Sequence, residues 1–249
     1  MKSASETLVR SSGSDRMLVV MAKAPRPGMV KTRLAQSLPV EAVTELYRCL
    51  LDDTMELARS LGTSFGSTEV AIMCPASDVE ELTRLAQGQG VVSVVAQKGE
   101  GLAAGLTSVF AHFATAGGQR VVAFNSDSPH LPASVLGSAF EALISHDVVV
   151  GPTHDGGYYL VGAKAAHPAL FDCDGMGTKS ALEALLARAR GLQLSVGFTD
   201  PFYDIDVEAD LTRLAAELRI APARAPRTAV WLKQWGQAVA QLRTGTGDL

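Results

Sequence analysis

Cysteine is scarce in this chain: three residues in 249, at Cys49, Cys74 and Cys173, far apart and with no CxxC pair or Cys/His cluster. That spacing excludes a disulfide framework and a zinc site, and points to reduced thiols and a cytoplasmic setting. No run approaches the roughly 18 apolar residues a membrane span needs. The first sixteen residues carry no apolar stretch of the kind a secretory signal requires and are expected to form a flexible extension. There is also no excess of positive charge. Twenty-two basic residues stand against 26 acidic ones, a net −4, so nothing draws the whole surface toward nucleic acid or an anionic membrane. Any phosphate-binding surface must be local.

What is present is a globular composition, 47% apolar and 19% charged. Short apolar runs alternate with helical periodicity. Strands are expected at Met17–Met21, Thr68–Met73, Val91–Val95, Val121–Phe124 and Asp147–Val150. Helices are expected between them, at Val40–Leu61, Asp78–Gln87, Leu102–Phe113 and Ala133–Ser145. The alternation argues for an α/β fold, a mostly parallel sheet with helices on both faces. Tyr158–Gly162 follows the fifth strand too closely for a crossover helix, so an antiparallel element is expected there. Further helices are expected at Lys179–Arg190, Glu208–Leu218 and Thr228–Leu242, the last after an Ala/Pro/Arg linker from Ala221. The domain expectation is an extension over 1–16, one α/β domain over 17–220, and a linker with a packed terminal helix over 221–249. Trp231, Leu232 and Trp235 would seat that helix on the core.

In open α/β sheets ligands bind beyond the carboxyl ends of the strands, and the informative segments all fall there. Lys23, Arg26, Lys31 and Arg33 lie within eleven residues, around Pro25, Pro27 and Gly28. With Thr32, they suggest a polyphosphate cradle at a helix N-terminus, with Lys31 and Arg33 facing solvent, or else a solvated basic loop in which Thr32 is an ordinary cap. It is not a Walker A loop, because Val30 stands where that motif needs glycine. After the third strand come Gln97, Gly99, Gly101 and Leu102. Small residues there would let a base or ribose approach the backbone, although a plain glycine turn reads equally well. Asp127, set in a turn by Pro129, is a candidate ligand for Mg²⁺ or Mn²⁺, or else a helix cap. His130 beside it is expected to be a loop residue. Asp155, Gly156, Gly157 and Tyr158 sit between two strands and would face an acceptor, or form a simple hairpin. Asp204 and Asp206 alternate in an extended segment and so point the same way, an arrangement that calls for a cation. Alternatively Asp206 caps the next helix.

The series Lys23…Gly28-x-x-Lys31-Thr32-Arg33-Leu34, Ser126-Asp127-x-Pro129, Asp155-Gly-Gly-Tyr-Tyr-Leu160, Gly177-Thr178 and Asp204-Ile-Asp206 resembles the rSAM/selenodomain-associated transferases. The likeness runs from about residue 17 to about 215. The first loop and the Asp clusters are also similar to 2-phospho-L-lactate guanylyltransferase and, more distantly, to molybdenum cofactor guanylyltransferase. The resemblance implies a glycosyltransferase-A-like, nucleotide-diphospho-sugar transferase fold. It implies a metal on Asp127, Asp204 and Asp206, a phosphate loop carrying Lys23, Lys31 and Arg33, and Thr178 on the acceptor side. Three departures are Asn125 and Ser128, where the family often has Gly and Cys, Met176, where it often has Trp, and a looser loop after the third strand.

Cations for phosphates, glycines for a base and separated carboxylates for a metal make the set that phosphoryl chemistry needs. The leading expectation is a Mg²⁺-dependent nucleotidyltransferase with a small phosphorylated or carboxylate acceptor. The close alternative is a glycosyltransferase with a nucleotide-diphospho-sugar donor. The third is a nucleotide-sensing module without catalysis. Base, acceptor and oligomeric state are not legible.

Overall fold

The computed structural model describes residues 14–64, 68–114, 120–172 and 180–244. Residues 1–13, 173–179 and 245–249, and with them Cys173, Met176, Gly177 and Thr178, lie outside the described residues. Seven strands are described: β1 (Arg16–Met21), β2 (Thr68–Cys74), β3 (Val91–Ala96), β4 (Arg120–Asn125), β5 (Val148–Pro152), β6 (Tyr158–Ala163) and β7 (Val196–Phe198). They form one sheet in the order β3-β2-β1-β4-β6-β5-β7. β1 pairs in parallel with both β2 and β4, and β5 pairs in parallel with β7. Only β6 is reversed, antiparallel to β4 on one side and β5 on the other. The five residues from 153 to 157 are too few for a crossover, so the chain turns back and slots in. β7 and the short helix at 168–171 were not apparent in the sequence.

The inner strands β2, β1, β4, β6 and β5 are largely buried on both faces, and successive residues face opposite layers. Leu18 and Val20 join α1 (Val40–Ser64), α2 (Val79–Ala86) and α4 (Ala133–Ser145). Met17 and Val19 join α3 (Gly101–Phe113), α5 (Pro168–Phe171) and α6 (Ala181–Gly191). A third cluster lies outside α1. There Val43, Leu46, Tyr47 and Leu50 meet α7 (Glu208–Ile220), α8 (Pro226–Thr244) and the extended residues Tyr203 and Ile205.

The terminal helix starts at Pro226, two residues ahead of expectation. Its exposed N–H groups are capped from another helix. The buried Asp53 carboxylate on α1 accepts from Thr228 N and Thr228 Oγ1, both at 2.8 Å, and from Arg227 N at 3.2 Å. Trp231 and Trp235 stack with centroids 5.4 Å apart, Trp231 buried. No described helix is long and apolar enough to cross a membrane.

Because six of the seven described strands run one way, their carboxyl ends share a rim. That rim gathers the segments after β1, β3, β4, β5 and β7.

Candidate functional site

The site is built on two extended stretches laid side by side. Residues 125–128 leave β4, and residues 203–206 run back past them after β7. Ile205 N donates to Asp127 O at 3.1 Å, and Ser128 Oγ donates to Tyr203 O at 3.0 Å. Tyr203 and Ile205 are buried in the α1–α7 cluster, so the alternate residues Asp204 and Asp206 face the crevice. Asp127, Asp204 and Asp206 each present an oxygen, and those oxygens all lie within 4.8 Å of one another.

Lys31 enters this group from the loop after β1. Its ammonium lies 2.9 Å from Asp127 Oδ2 and 2.9 Å from Asp206 Oδ1. The side chain is only 4% exposed, which corrects the expectation that it faces solvent. The reason lies in the backbone. Lys31 adopts φ +48°, a left-handed conformation rare for a residue with a Cβ, and the chain thereby turns its side chain inward. Arg33 does stay open to solvent, 62% exposed, with Nη1 3.3 Å from Asp206 Oδ2. Thr32 is exposed beside it.

The charges follow from this packing. Burial alone would lower the Lys31 pKa, but Asp127 and Asp206 outweigh it and hold the ammonium above the ordinary lysine value. Burial pushes the other way on Asp206, and Lys31 and Arg33 keep its carboxyl below the usual range. Asp204 has no described cation in contact. Burial, with Asp206 and Asp127 beside it, pushes its pKa up to about 6.

The loop after β1 differs from expectation in two ways. It opens onto a single turn of 3-10 helix, Leu34–Gln36, and the first α-helix waits until Val40, so no α-helix N-terminus crowns the cationic segment. Arg26 is also taken out of the cradle. It is bound to Asp78 at 2.8 Å, to Glu81 at 3.0 Å and to Ser77 O at 2.9 Å. Lys23 is exposed and makes no ion pair among the described residues. Gly28 has φ +73° and open space where a Cβ would stand.

Beneath the acidic group lies a residue that sequence reading missed. Tyr47, on α1, accepts from Lys23 N at 3.1 Å and shares a 3.0 Å hydrogen bond with Ser126 Oγ. One buried phenol thus ties the end of β1 to the end of β4. Tyr47 stands on a helical face of apolar residues and reads there as core. Asp210, not Asp206, serves the start of α7, accepting from Asp206 N at 3.0 Å and Val207 N at 2.9 Å. His130 is fully buried between Phe202 and Tyr203, with neither ring nitrogen hydrogen-bonded.

Gln97, Gly99, Gly101 and Leu102 sit beyond the edge strand β3, three strand spacings from β4, or about 14 Å. Gln97 Nε2 donates to Gly99 O at 2.9 Å and to Gly101 O at 3.4 Å. Both glycines have positive φ, +83° and +82°. Leu102 is partly exposed at the start of α3. On the opposite side, the 153–157 turn holds Asp155. Its Oδ1 accepts from Thr153 Oγ1 at 2.6 Å and Gly157 N at 3.3 Å. The Thr153 bond leads in lowering the Asp155 pKa, while Asp206 pushes it up. Gly156 lies within the same turn and Tyr158 follows it as the first residue of β6.

These features meet known proteins at the level of architecture. A family described as an uncharacterized protein conserved in bacteria, DUF2064, matches residues 60–178. A protein from Desulfovibrio desulfuricans G20, provisionally assigned as a nucleotide-diphospho-sugar transferase, superposes with a TM-score of 0.80. It is 24% identical, over 92% of this chain and 98% of that one. The chain has the nucleotide-diphospho-sugar transferase fold. A Methanothermobacter nucleotidyl transferase matches at TM-score 0.54 and 18% identity, over 83% of this chain and 99% of that one. The 4-diphosphocytidyl-2C-methyl-D-erythritol synthase of Anaerococcus prevotii DSM 20548 matches at 0.52 and 11%, over 82% and 97%. No curated protein matches the chain.

Proposed function

We infer that the protein is a divalent-metal-dependent nucleotidyltransferase, moving a nucleoside monophosphate from a triphosphate to a small phosphorylated or carboxylate acceptor. One observation carries the reading: Lys31 lies 2.9 Å from both Asp127 and Asp206, so a cationic loop and an acidic group meet at one point. A triphosphate with a metal needs that combination. Two of the fold relatives are nucleotidyl-transferring enzymes by description, and the motif resemblance to 2-phospho-L-lactate guanylyltransferase points the same way.

Asp127, Asp204 and Asp206 fit a Mg²⁺ or Mn²⁺ ion, being hard oxygen donors within 4.8 Å of one another. When bound, such an ion supplies charge neutralisation on the phosphates. The remaining work falls to the chain. An acceptor oxygen attacks the α-phosphorus, and the bond to the β-phosphate oxygen breaks to release pyrophosphate. Arg33, open to solvent, grips the leaving pyrophosphate, with Lys31 and the unpaired Lys23 beside it. Backbone at Gly99 and Gly101 and the exposed Leu102 side chain receive the base. Asp155, fixed by Thr153, orients a hydroxyl of the acceptor or ribose. An acceptor oxygen that is already anionic needs no general base.

The test is pyrophosphate release with each of the four ribonucleoside triphosphates, Mg²⁺ and a panel of phosphorylated and carboxylate acceptors. Stoichiometric pyrophosphate with a nucleotidylated product is expected. Free nucleoside diphosphate from a nucleotide sugar would replace this reading with glycosyl transfer. Tight nucleotide binding without turnover, unaffected by Asp127→Asn, would make the protein a sensor.

A further inference from the structure

We propose that Lys31 is an internal counter-ion that bars a lone divalent ion from the acidic cluster, so that metal is admitted together with nucleotide and not ahead of it. This rests on the reading of Asp127, Asp204 and Asp206 as the metal site.

The geometry makes the two cations rivals. The Lys31 ammonium sits between Asp127 Oδ2 and Asp206 Oδ1, and Arg33 takes the other Asp206 oxygen. Both oxygens of Asp206 are therefore engaged, and one of Asp127. An ion bridging all three carboxylates must share Asp206 with Lys31 and Arg33 and would sit within a few ångströms of the Lys31 ammonium, where like charges repel. Lys31 is also enclosed, unlike Arg33, so its ammonium has little water to fall back on and leaves only if another anion receives it. A triphosphate is that anion. The lysine stem is flexible and its charge compact, so moving from a carboxylate to a phosphate oxygen requires rotamer changes and no refolding. The left-handed backbone at Lys31 holds the inward position against the ordinary preference of a residue with a Cβ.

Exchange keeps the charges matched. Three carboxylates lose an ammonium and gain a divalent ion, while the phosphates gain the ammonium. Metal and nucleotide then strengthen each other's binding, and by linkage the factor is the same in both directions.

The experiment is Mn²⁺ titration at pH 8, followed by the electron paramagnetic resonance of the free ion, with and without each nucleoside triphosphate. It compares the wild-type protein with Lys31→Met and Lys31→Gln, each checked for native circular dichroism. Without nucleotide, both variants should bind Mn²⁺ roughly tenfold or more tightly than wild type, and the factor by which nucleotide improves binding should shrink by the same amount. The glutamine variant, which keeps a polar group against the carboxylates, guards against a methionine variant that does not fold. Equal or weaker Mn²⁺ binding in the folded variants, with wild type still binding through Asp127, overturns the lock and leaves the metal site standing. No Mn²⁺ binding in any form with nucleotide present, or binding unchanged by Asp127→Asn, overturns the metal site and the lock with it.

Discussion

Tyr47 and Ser126 share a 3.0 Å hydrogen bond directly beneath the acidic cluster, although 79 residues separate them in sequence. The same phenol receives Lys23 N. Tyr47→Phe leaves the Lys23 amide and the Ser126 hydroxyl without this partner while keeping the ring. Urea unfolding should show a loss of about 1–2 kcal/mol. Mn²⁺ affinity should fall as well, because the Asp127 turn loses a support. Unchanged affinity in a destabilised variant would confine Tyr47 to the core.

The two arginines of the loop after β1 should separate cleanly. Arg26→Ala removes the ion-pair partner of the buried Asp78, leaving it the Ala24 N and Ser77 Oγ hydrogen bonds, and should cost about 1–2 kcal/mol of stability, with nucleotide affinity nearly unchanged. Arg33→Ala, on an exposed side chain, should change stability by less than about 0.5 kcal/mol. Its nucleotide affinity should drop roughly tenfold, the scale of one charge-assisted hydrogen bond. Calorimetric titration with nucleoside triphosphates and thermal unfolding read both quantities. The reverse pattern would place the phosphates on Arg26.

Gly105 is the third handle. A Cβ there would stand 2.7 Å from Met21 Cε and 2.9 Å from Gln97 Oε1, both ends of flexible side chains. Gly105→Ala should therefore fold, aided by the better helix propensity of alanine. Its methyl displaces Gln97 from Gly99 O and Gly101 O. Nucleotide affinity should weaken several-fold with Mn²⁺ binding through Asp127 intact. An alanine variant with native nucleotide affinity would remove the Gln97 loop from the site.

His130 governs an acid limb of stability. Burial, with Arg224 and Arg213 nearby, lowers its pKa to about 3. The folded state therefore holds it neutral while the unfolded chain protonates it near pH 6.5. Its contribution is present above pH 6.5 and is lost as pH falls toward 3, up to about 5 kcal/mol in all. His130→Leu should flatten the stability profile between pH 6.5 and 4 relative to wild type, in urea titrations at fixed salt. A variant profile parallel to wild type would assign the acid limb to the carboxylates instead.

The order of β1 to β6 and of the longer helices was legible because each carries its own periodicity, whereas β7 and α5, three and four residues long, are too short to show one. So was the common orientation of Asp204 and Asp206, which follows from the two-residue repeat of extended chain. The burial of Lys31 was not, since it depends on a left-handed turn at a residue whose type disfavours one. The loss of Arg26 to Asp78 and Glu81, and the capping of α8 by Asp53, join residues from 52 to 175 positions apart. Local patterns hold no record of such pairings. Tyr47 stayed hidden for a related reason: its ring belongs to the core and only its hydroxyl reaches the site.

The single reversed strand has a consequence for how this scaffold diversifies. With β6 slotted between β4 and β5, the 153–157 hairpin lies at the crevice, held to the start of α6 through Leu182 N, which donates to Gly156 O at 3.1 Å. Changing the exposed side chains at that tip, with Thr153 and the Gly156 carbonyl kept in place, would reshape the wall beside Asp155 and leave the layers packed on the sheet untouched. New small-molecule preferences are accordingly cheapest to evolve at that one turn, while the carboxylates and lysine across from it stay fixed.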